Sequence, residues 1–293
     1  MKVLVTGGGG QLATRLMALR PNGLEAVTLT HTELDIADQH GVAAVLDRLQ
    51  PAIVINAAGY TDVDRAETEH GMARLANALG PRHLAMAAAR RGMRLIHVST
   101  DFVFDGAASS PYQPGHPVNP LSEYGRSKAL GEAEVRKALG DAALILRTAW
   151  LYSAQGKNFL GTMLRLMRER GEVAVVADQI GTPTSVASLA AALWRAVAVP
   201  GFSGTHHYTD GGVASRYDFA VAIAEEASAL GLLEGPVRVR PIRTGQYPTT
   251  AHRPAYSVLD NSSTVAALGL ELGLEPRHWR AALRDEMRMI SHA

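Results

Sequence analysis

The sequence predicts an α/β fold in which a doubly wound parallel sheet is followed by a smaller C-terminal lobe. Three observations carry that prediction. Short β-rich runs alternate with longer helical ones through the first half of the 293 residues, and strands separated by helices of that length imply parallel pairing. A glycine-rich stretch, Thr6 to Ala13 (TGGGGQLA), closes the first run and opens the first helix. Far downstream, Tyr124 and Lys128 stand four residues apart in Tyr-Gly-Arg-Ser-Lys. Lysine occurs only at Lys2, Lys128, Lys137 and Lys157, against eight tyrosines. Chance placement would therefore give about 0.1 Tyr-x-x-x-Lys matches.

The elements follow in order. Lys2 to Thr6 reads as a buried strand, Gln11 to Ala18 as a helix and Glu25 to Leu29 as a strand. A helix over Asp38 to Leu49 precedes a strand at Ala52 to Asn56. Met72 to Arg91 is helical, with alanines on several faces, and Arg94 to Ser99 is the next strand. Asn119 is placed to cap a helix with Pro120 in its first turn, running through Tyr124 and Lys128 to about Leu139. Ala143 to Arg147 closes this series.

The second half is less regular. Helices are expected at Phe159 to Arg170, Ser188 to Val197, Tyr217 to Leu230 and Pro276 to Ile290, with strands at Val173 to Val176 and Thr205 to Thr209. Proline and arginine cluster in a loop-like stretch from Pro236 to Pro254. Residues 1–150 thus read as a dinucleotide-binding domain of Rossmann type. Residues 151–293 read as a mixed region that returns to the sheet and forms a substrate-binding lobe.

Composition narrows the function classes. With 47% hydrophobic and 19% charged residues the chain is an ordinary globular one, and a net charge of +1 leaves no nucleic-acid footprint. The absence of cysteine excludes disulfides, thiolate metal sites and a cysteine nucleophile. The apolar run at the N-terminus ends at Val5, too short for a signal peptide, and no stretch approaches the roughly 18 apolar residues of a membrane span. A cytoplasmic location without membrane partners is expected.

Gly7, Gly10 and Ala13 satisfy G-x-x-G-x-x-A between a strand and a helix. Glycine lets the backbone approach a pyrophosphate, and the helix N-terminus behind it favours negative charge. An NAD-selective site often ends its second strand on an acid that binds the ribose 2′-hydroxyl. Here Thr30 and His31 come first and the nearest acid is Glu33, which admits the 2′-phosphate of NADPH, with Arg20 or His31 as its contact. NADPH is expected, with NADH tolerated. Asp35 and Ile36 are placed to line the adenine, although a helix-capping role for Asp35 is nearly as good a reading.

Residues four apart on a helix share a face, so Tyr124 and Lys128 project together. A free phenol has a pKa of about 10, and an adjacent ammonium would lower it toward the working range. Lys128 is also placed to hold the nicotinamide ribose. Thr100, at the end of the preceding strand, can share a substrate carbonyl with Tyr124. Trp150 suits stacking on a sugar or base, or the core. Arg253, beside Pro254 in a loop, suits a phosphate or solvent. His206 and His207 lack a third ligand of suitable spacing, and no metal site is expected.

Taken together, these motifs resemble the extended short-chain dehydrogenase/reductases and, within them, the dTDP-4-dehydrorhamnose reductases. The resemblance covers nearly the whole chain. It rests on TGGGGQLA, NAAGYTDVDRAE from Asn56, HVSTDFVFDG from His97 and PLSEYGRSKALGE from Pro120. It continues through RTAWLY from Arg147, NFLGTML from Asn158, DQIGTPT from Asp178 and YPTTAHRP from Tyr247. It implies a Rossmann domain with a substrate domain, and NAD(P)H-dependent reduction of the 4-keto group of dTDP-4-dehydro-L-rhamnose. Tyr124 would be the proton donor and Lys128 its partner and ribose ligand. Thr100, Asp101 and Trp150 would meet the sugar. Gly10, Gln11 and Leu12 would line the pyrophosphate, Asp35 and Ile36 the adenosine, and Gly59, Tyr60 and Thr61 the cofactor.

Departures from the family pattern bear on this. Ala13 replaces a third glycine, and Phe102 stands where tyrosine is frequent. The resemblance also implies magnesium held by glutamates at a dimer interface in some members. The corresponding positions here hold Arg15 and Ala187, with only Glu286 remaining, so neither that metal nor that dimer is expected; another homodimer stays open. Thr100-Asp101-Phe102 lacks the glutamate a related dehydratase would use. A tightly NAD-retaining epimerase, a reductase of another nucleotide-linked 4-keto-6-deoxy sugar and a non-catalytic NADP-binding regulatory subunit are the alternatives; an intact Tyr/Lys pair disfavours the last.

Overall fold

A computed structural model describes residues 1–269 and 276–291. Among them, the strands longer than three residues are β1 (Lys2–Gly8), β2 (Glu25–Thr30), β3 (Ile53–Asn56), β4 (Arg94–Thr100), β5 (Leu144–Thr148), β6 (Glu172–Val176), β7 (Gly204–His207) and β8 (Arg238–Ile242). The longer helices are α1 (Gln11–Ala18), α2 (Gln39–Leu49), α3 (Gly80–Arg91), α4 (Glu123–Leu139), α5 (Phe159–Arg170), α6 (Val186–Ala198), α7 (Arg216–Ala229) and α8 (Trp279–Ser291).

Six strands form the main sheet in the order β7-β5-β4-β3-β1-β2, every neighbouring pair parallel. From β1 the chain moves outward to β2, then returns to place β3 on the other side of β1. That reversal makes the β1/β3 boundary the topological switch point, where open α/β sheets bind ligands at the strand C-termini.

Alternation along β1 shows how both faces are covered. Val3 and Val5 face α1 and α6, packing with Leu12, Leu16, Leu189 and Leu193, and Trp194 donates its indole N–H to Leu16 O at 2.9 Å. Leu4 faces the other way, into a layer with Val42 and Leu46 of α2, Leu84 of α3 and Val135 of α4. Central strands β3 and β5 are buried along their whole length, as a sheet covered on both faces requires. A third core joins α5, α7 and α8 to β6 through Met163, Phe219, Ile223, Trp279 and Leu283. The second half of the chain therefore divides. Helix α6 and strand β7 complete the first sheet, while α5, α7, α8 and the β6–β8 pair build their own core.

Three expectations are corrected. The loop-like stretch after Pro236 contains β8, which pairs parallel with β6 from Arg238↔Glu172 to Ile242↔Val176. Its exposed Arg238, Arg240 and Pro241 disguise it, since proline is tolerated at a sheet edge. Asn119 does not cap α4; Ser122 does, accepting from Gly125 N at 3.1 Å. Asn119 instead donates to Asp105 Oδ2 at 3.1 Å. The helix leading into α3 begins at His70 and carries a π turn at Leu75–Leu79.

Candidate active site

The glycine turn lies at the switch point. Gly7 and Gly9 adopt φ of 77° and 81°, conformations that side chains other than glycine strain to reach. A Cβ on Gly7 would also stand 2.9 Å from the backbone of Ala57 and Ala58. Gly10 N donates to Gly7 O at 3.0 Å and precedes α1 without any side-chain cap. The first N–H groups of α1 are thereby left for an anion.

A cavity of about 910 Å³ extends from this turn to the ends of β4 and β5. Its wall includes Gly7, Gly10, Gln11, Leu12, Asp35, Ile36, Gly59, Thr61, Thr100, Asp101, Tyr124, Lys128, Trp150 and Arg253. Among the predicted residues Tyr60 is the exception. Its hydroxyl turns to Glu69 at 2.6 Å and its N–H to Asn77 Oδ1 at 2.8 Å, so it braces the wall from behind. His31 reaches the cavity, whereas Arg20 is not part of its wall. A glycine floor at one end and Lys128 toward the other fit a nicotinamide dinucleotide. At Gly59 a Cβ would lie 2.8 Å from Asn77 Oδ1 and 4.0 Å from Lys128 Nζ, so only a bare backbone keeps that wall open.

Helix α4 carries Tyr124 and Lys128 on one face as expected. The helix can approach so closely because Gly125 has no side chain; a Cβ there would stand 2.2 Å from Phe102 O. Phe102 meets the Tyr124 ring edge-on at 5.6 Å between centroids. Burial pushes the Tyr124 phenol up to about 12; the Thr100 hydroxyl works against that rise and the Asp101 carboxylate adds to it. The expected lowering by Lys128 does not hold in this structure. Lys128 Nζ donates instead to Val98 O at 2.7 Å. Burial lowers the Lys128 ammonium to about 8, with Glu132 opposing. The pair therefore offers a phenol that keeps its proton at neutral pH beside a cation with two further N–H donors.

Asp101 is buried, with Oδ2 lacking any partner. Burial raises its carboxyl to about 6, while Ser257 and Arg216 hold it down. Arg216, at the start of α7, lays its guanidinium 3.5 Å from the centre of the Trp150 ring. Trp150 has φ of 47°, unusual for a bulky residue. A Cβ on Gly181 would stand 2.6 Å from the indole. Such strain is held only where the surroundings over-determine it. Arg253 forms a two-pronged pair with Asp64, at 2.7 and 3.2 Å. Phe159, Arg216 and Arg253 line both this cavity and a second of about 750 Å³ between α5, β6 and the loop containing Tyr247.

Behind the site, a buried network fixes α4 to the sheet. Glu132 accepts from Ser99 Oγ at 2.6 Å, from Arg147 at 2.7 and 2.8 Å and from Arg136 at 2.7 Å. Burial disfavours the carboxylate, yet Arg147, Ser99 and Arg136 hold Glu132 down to about 2. Ser99 precedes Thr100 and Glu132 lies one turn beyond Lys128, so the network sets the spacing between the residues facing the cavity.

Sequence reasoning missed Arg216 and Asn77. Each left a signal: an arginine in the first turn of a helix opposes the helix dipole, and Asn77 interrupts an alanine-rich helical run. Asn77 sits in the π turn, donating to Tyr60 O at 2.9 Å and Ser127 Oγ at 3.0 Å. His206 hydrogen-bonds to Ser203 O and Ser263, and His207 is buried on Arg147. Among the described residues no group of three potential ligands converges as a metal site. Glu286 meets Arg15 at 3.2 Å and accepts from Ser185 Oγ at 2.7 Å. No described helix is long and apolar enough to cross a membrane.

Residues 1–291 match the family described as RmlD substrate binding domain. A dTDP-4-dehydrorhamnose reductase of Aggregatibacter actinomycetemcomitans is 41% identical, with 97% of each chain covered. A dTDP-4-keto-6-deoxy-D-glucose reductase of Streptomyces niveus is 39% identical, covering 98% of this chain and 97% of the other. Among solved structures, the dTDP-4-dehydrorhamnose reductase of Bacillus anthracis str. Ames, in complex with NADP, is 35% identical with a TM-score of 0.90. That match covers 98% of this chain and 99% of that one.

Proposed function

We infer from membership of the RmlD family, to which this chain belongs, that it reduces the 4-keto group of dTDP-4-dehydro-L-rhamnose to give dTDP-L-rhamnose. The observation that carries this reading is the convergence of Thr100, Asp101, Tyr124, Lys128 and Trp150 on one cavity that begins at a glycine turn. When bound, the nicotinamide cofactor supplies the hydride. Tyr124 Oη gives its proton to the oxygen that develops charge, and the Thr100 hydroxyl orients that oxygen. Acid catalysis of this kind contributes roughly 10²–10⁴ in rate. Lys128, held by Val98 O, directs its remaining N–H donors at the ribose. Asp101, ionised above about pH 6, accepts from a sugar hydroxyl.

NADPH is the preferred cofactor in this reading, with NADH tolerated. Glu33, the first acid after β2, turns its carboxylate back onto Thr30 N and Oγ1, both at 2.8 Å. Glu33 is thereby turned onto the backbone of β2 and away from a 2′-phosphate, and His31 faces the cavity there beside Asp35.

The near-equal likeness to a reductase of another 4-keto-6-deoxy sugar favours one second reading, the same chemistry on that sugar. Incubation with NADPH and each keto-sugar in turn, followed by product identification, tests both. A higher kcat/KM with dTDP-4-dehydro-L-rhamnose supports the first reading; a higher value with dTDP-4-keto-6-deoxy-D-glucose replaces it with the second.

A further inference from the structure

The loop Ser153–Asn158 is tied to the cofactor side of the sheet by hydrogen bonds that the catalytic reading does not use. Gln11, at the start of α1, accepts at Oε1 from Ser153 Oγ and Asn158 Nδ2, both at 2.9 Å, and donates from Nε2 to Lys157 O at 3.0 Å. Gly156 adopts φ of 84° and lies so close that a Cβ would stand 2.7 Å from Gln11 Cγ. From the other side, Ala154 N donates to Glu286 Oε2 at 2.8 Å, and Glu286 is itself held by Arg15 and Ser185. Gly156, Lys157 and Asn158 consequently line the same cavity as Gly7 to Ala13.

The cations of that cavity are few. Its wall holds Lys128, Lys157, Arg216 and Arg253 as its lysines and arginines. Lys128 donates to Val98 O, Arg216 stacks on Trp150 and Arg253 pairs with Asp64. Among the described residues Arg216 has no hydrogen-bond or ion-pair partner but is held on the Trp150 ring. Lys157 alone among the four has no carbonyl, carboxylate or aromatic ring holding its charge among the described residues. A dinucleotide pyrophosphate brings two negative charges to the glycine turn, where α1 offers only N–H groups and about half a positive charge.

We propose that Ser153–Asn158 is a strap across the pyrophosphate of the cofactor, and that Lys157 supplies the cation for it. The proposal rests on the dinucleotide part of the functional reading and is independent of the identity of the sugar. Gln11 acts as a positioning residue, holding the strap through its amide rather than lining the phosphates itself. Lys157 then contacts a group common to NADPH and NADH.

The test is a fluorescence titration of NADPH and of NADH, using energy transfer from tryptophan to the reduced nicotinamide, with no sugar present. Lys157→Ala is expected to raise both dissociation constants by the same factor, roughly tenfold at low salt and far less in high salt. Lys157→Arg should restore most of the affinity, and Lys137→Ala should change neither constant. Unchanged affinities in Lys157→Ala overturn the proposal. Weakening of NADPH alone overturns it by placing Lys157 at the 2′-phosphate. A loss that high salt does not reduce and arginine does not rescue overturns it as a loop-folding effect. Wild-type chain that binds cofactor yet turns over no keto-sugar sinks the sugar reading and leaves the strap standing. Wild-type chain that binds neither cofactor overturns both.

Discussion

Replacing Lys128 by methionine should make the protein more stable and less active at once. Lys128 is almost wholly buried, and burial lowers its ammonium from 10.5 to about 8. That fall corresponds to about 3 kcal/mol carried by the folded state below pH 8. Methionine has a similar volume and no charge to desolvate. It loses the hydrogen bond to Val98 O, which offsets about 1–2 kcal/mol. The net expectation is a variant about 1–2 kcal/mol more stable in urea denaturation at pH 7. The sign with pH follows from a depressed base. The unfolded chain binds the extra proton between pH 8 and 10.5, so wild-type stability gains on the variant as pH rises through that window. The advantage of methionine therefore shrinks above about pH 8, is gone by about pH 9.5 and reverses beyond it, where only the lost hydrogen bond remains. Turnover and cofactor affinity fall throughout. A Lys128→Met protein less stable at pH 7, or a difference that does not change with pH, would refute the burial argument.

The other predictions follow from the same geometry. Tyr124→Phe should lose roughly 10²–10⁴ in kcat with the NADPH dissociation constant little changed; near-wild-type turnover would remove Tyr124 from proton donation. Glu132→Ala should cost about 3–5 kcal/mol by urea denaturation at pH 7, because it strands Arg147 in the core. In the wild-type chain, the Glu132 contribution should be present above pH 4.5 and be lost as pH falls toward about 2, since its folded value is depressed. A flat acid limb would count against that network. Asp101 has the opposite sense, raised to about 6. KM for the sugar nucleotide should therefore climb as pH drops below about 6, and Asp101→Asn should show a high KM without that limb.

The first sheet was legible in the sequence because buried parallel strands and their helices carry strong patterns. Helix α1 and helix α5 begin and end where apolar periodicity places them. Strand β8 was hidden by its residues, since an edge strand bearing Arg238, Arg240 and Pro241 lacks the apolar signature. The cap of α4 was placed at Asn119, whereas Ser122 caps it; that Asn119 is engaged by Asp105, fourteen residues away, is not a local pattern. At the site, short spacing within one element was informative: Tyr124 and Lys128 share a helix face. Interactions between distant elements were not. Arg216 on Trp150, Asn77 behind Gly59 and Gln11 on the strap each join residues far apart in the chain, and no local pattern encodes such contacts. The protonation of Tyr124 was misjudged for a related reason. Sequence spacing brings the ammonium near, but burial and the Val98 carbonyl decide which interaction wins.

The most direct measurement of the central claim is product NMR after turnover with NADPH deuterated at nicotinamide C4, on the transferred face, and dTDP-4-dehydro-L-rhamnose. The expected result is dTDP-L-rhamnose carrying deuterium at sugar C4, formed at a rate reduced roughly 10²–10⁴-fold in Tyr124→Phe. Recovery of unreduced keto-sugar, or of product without deuterium at C4, would contradict it.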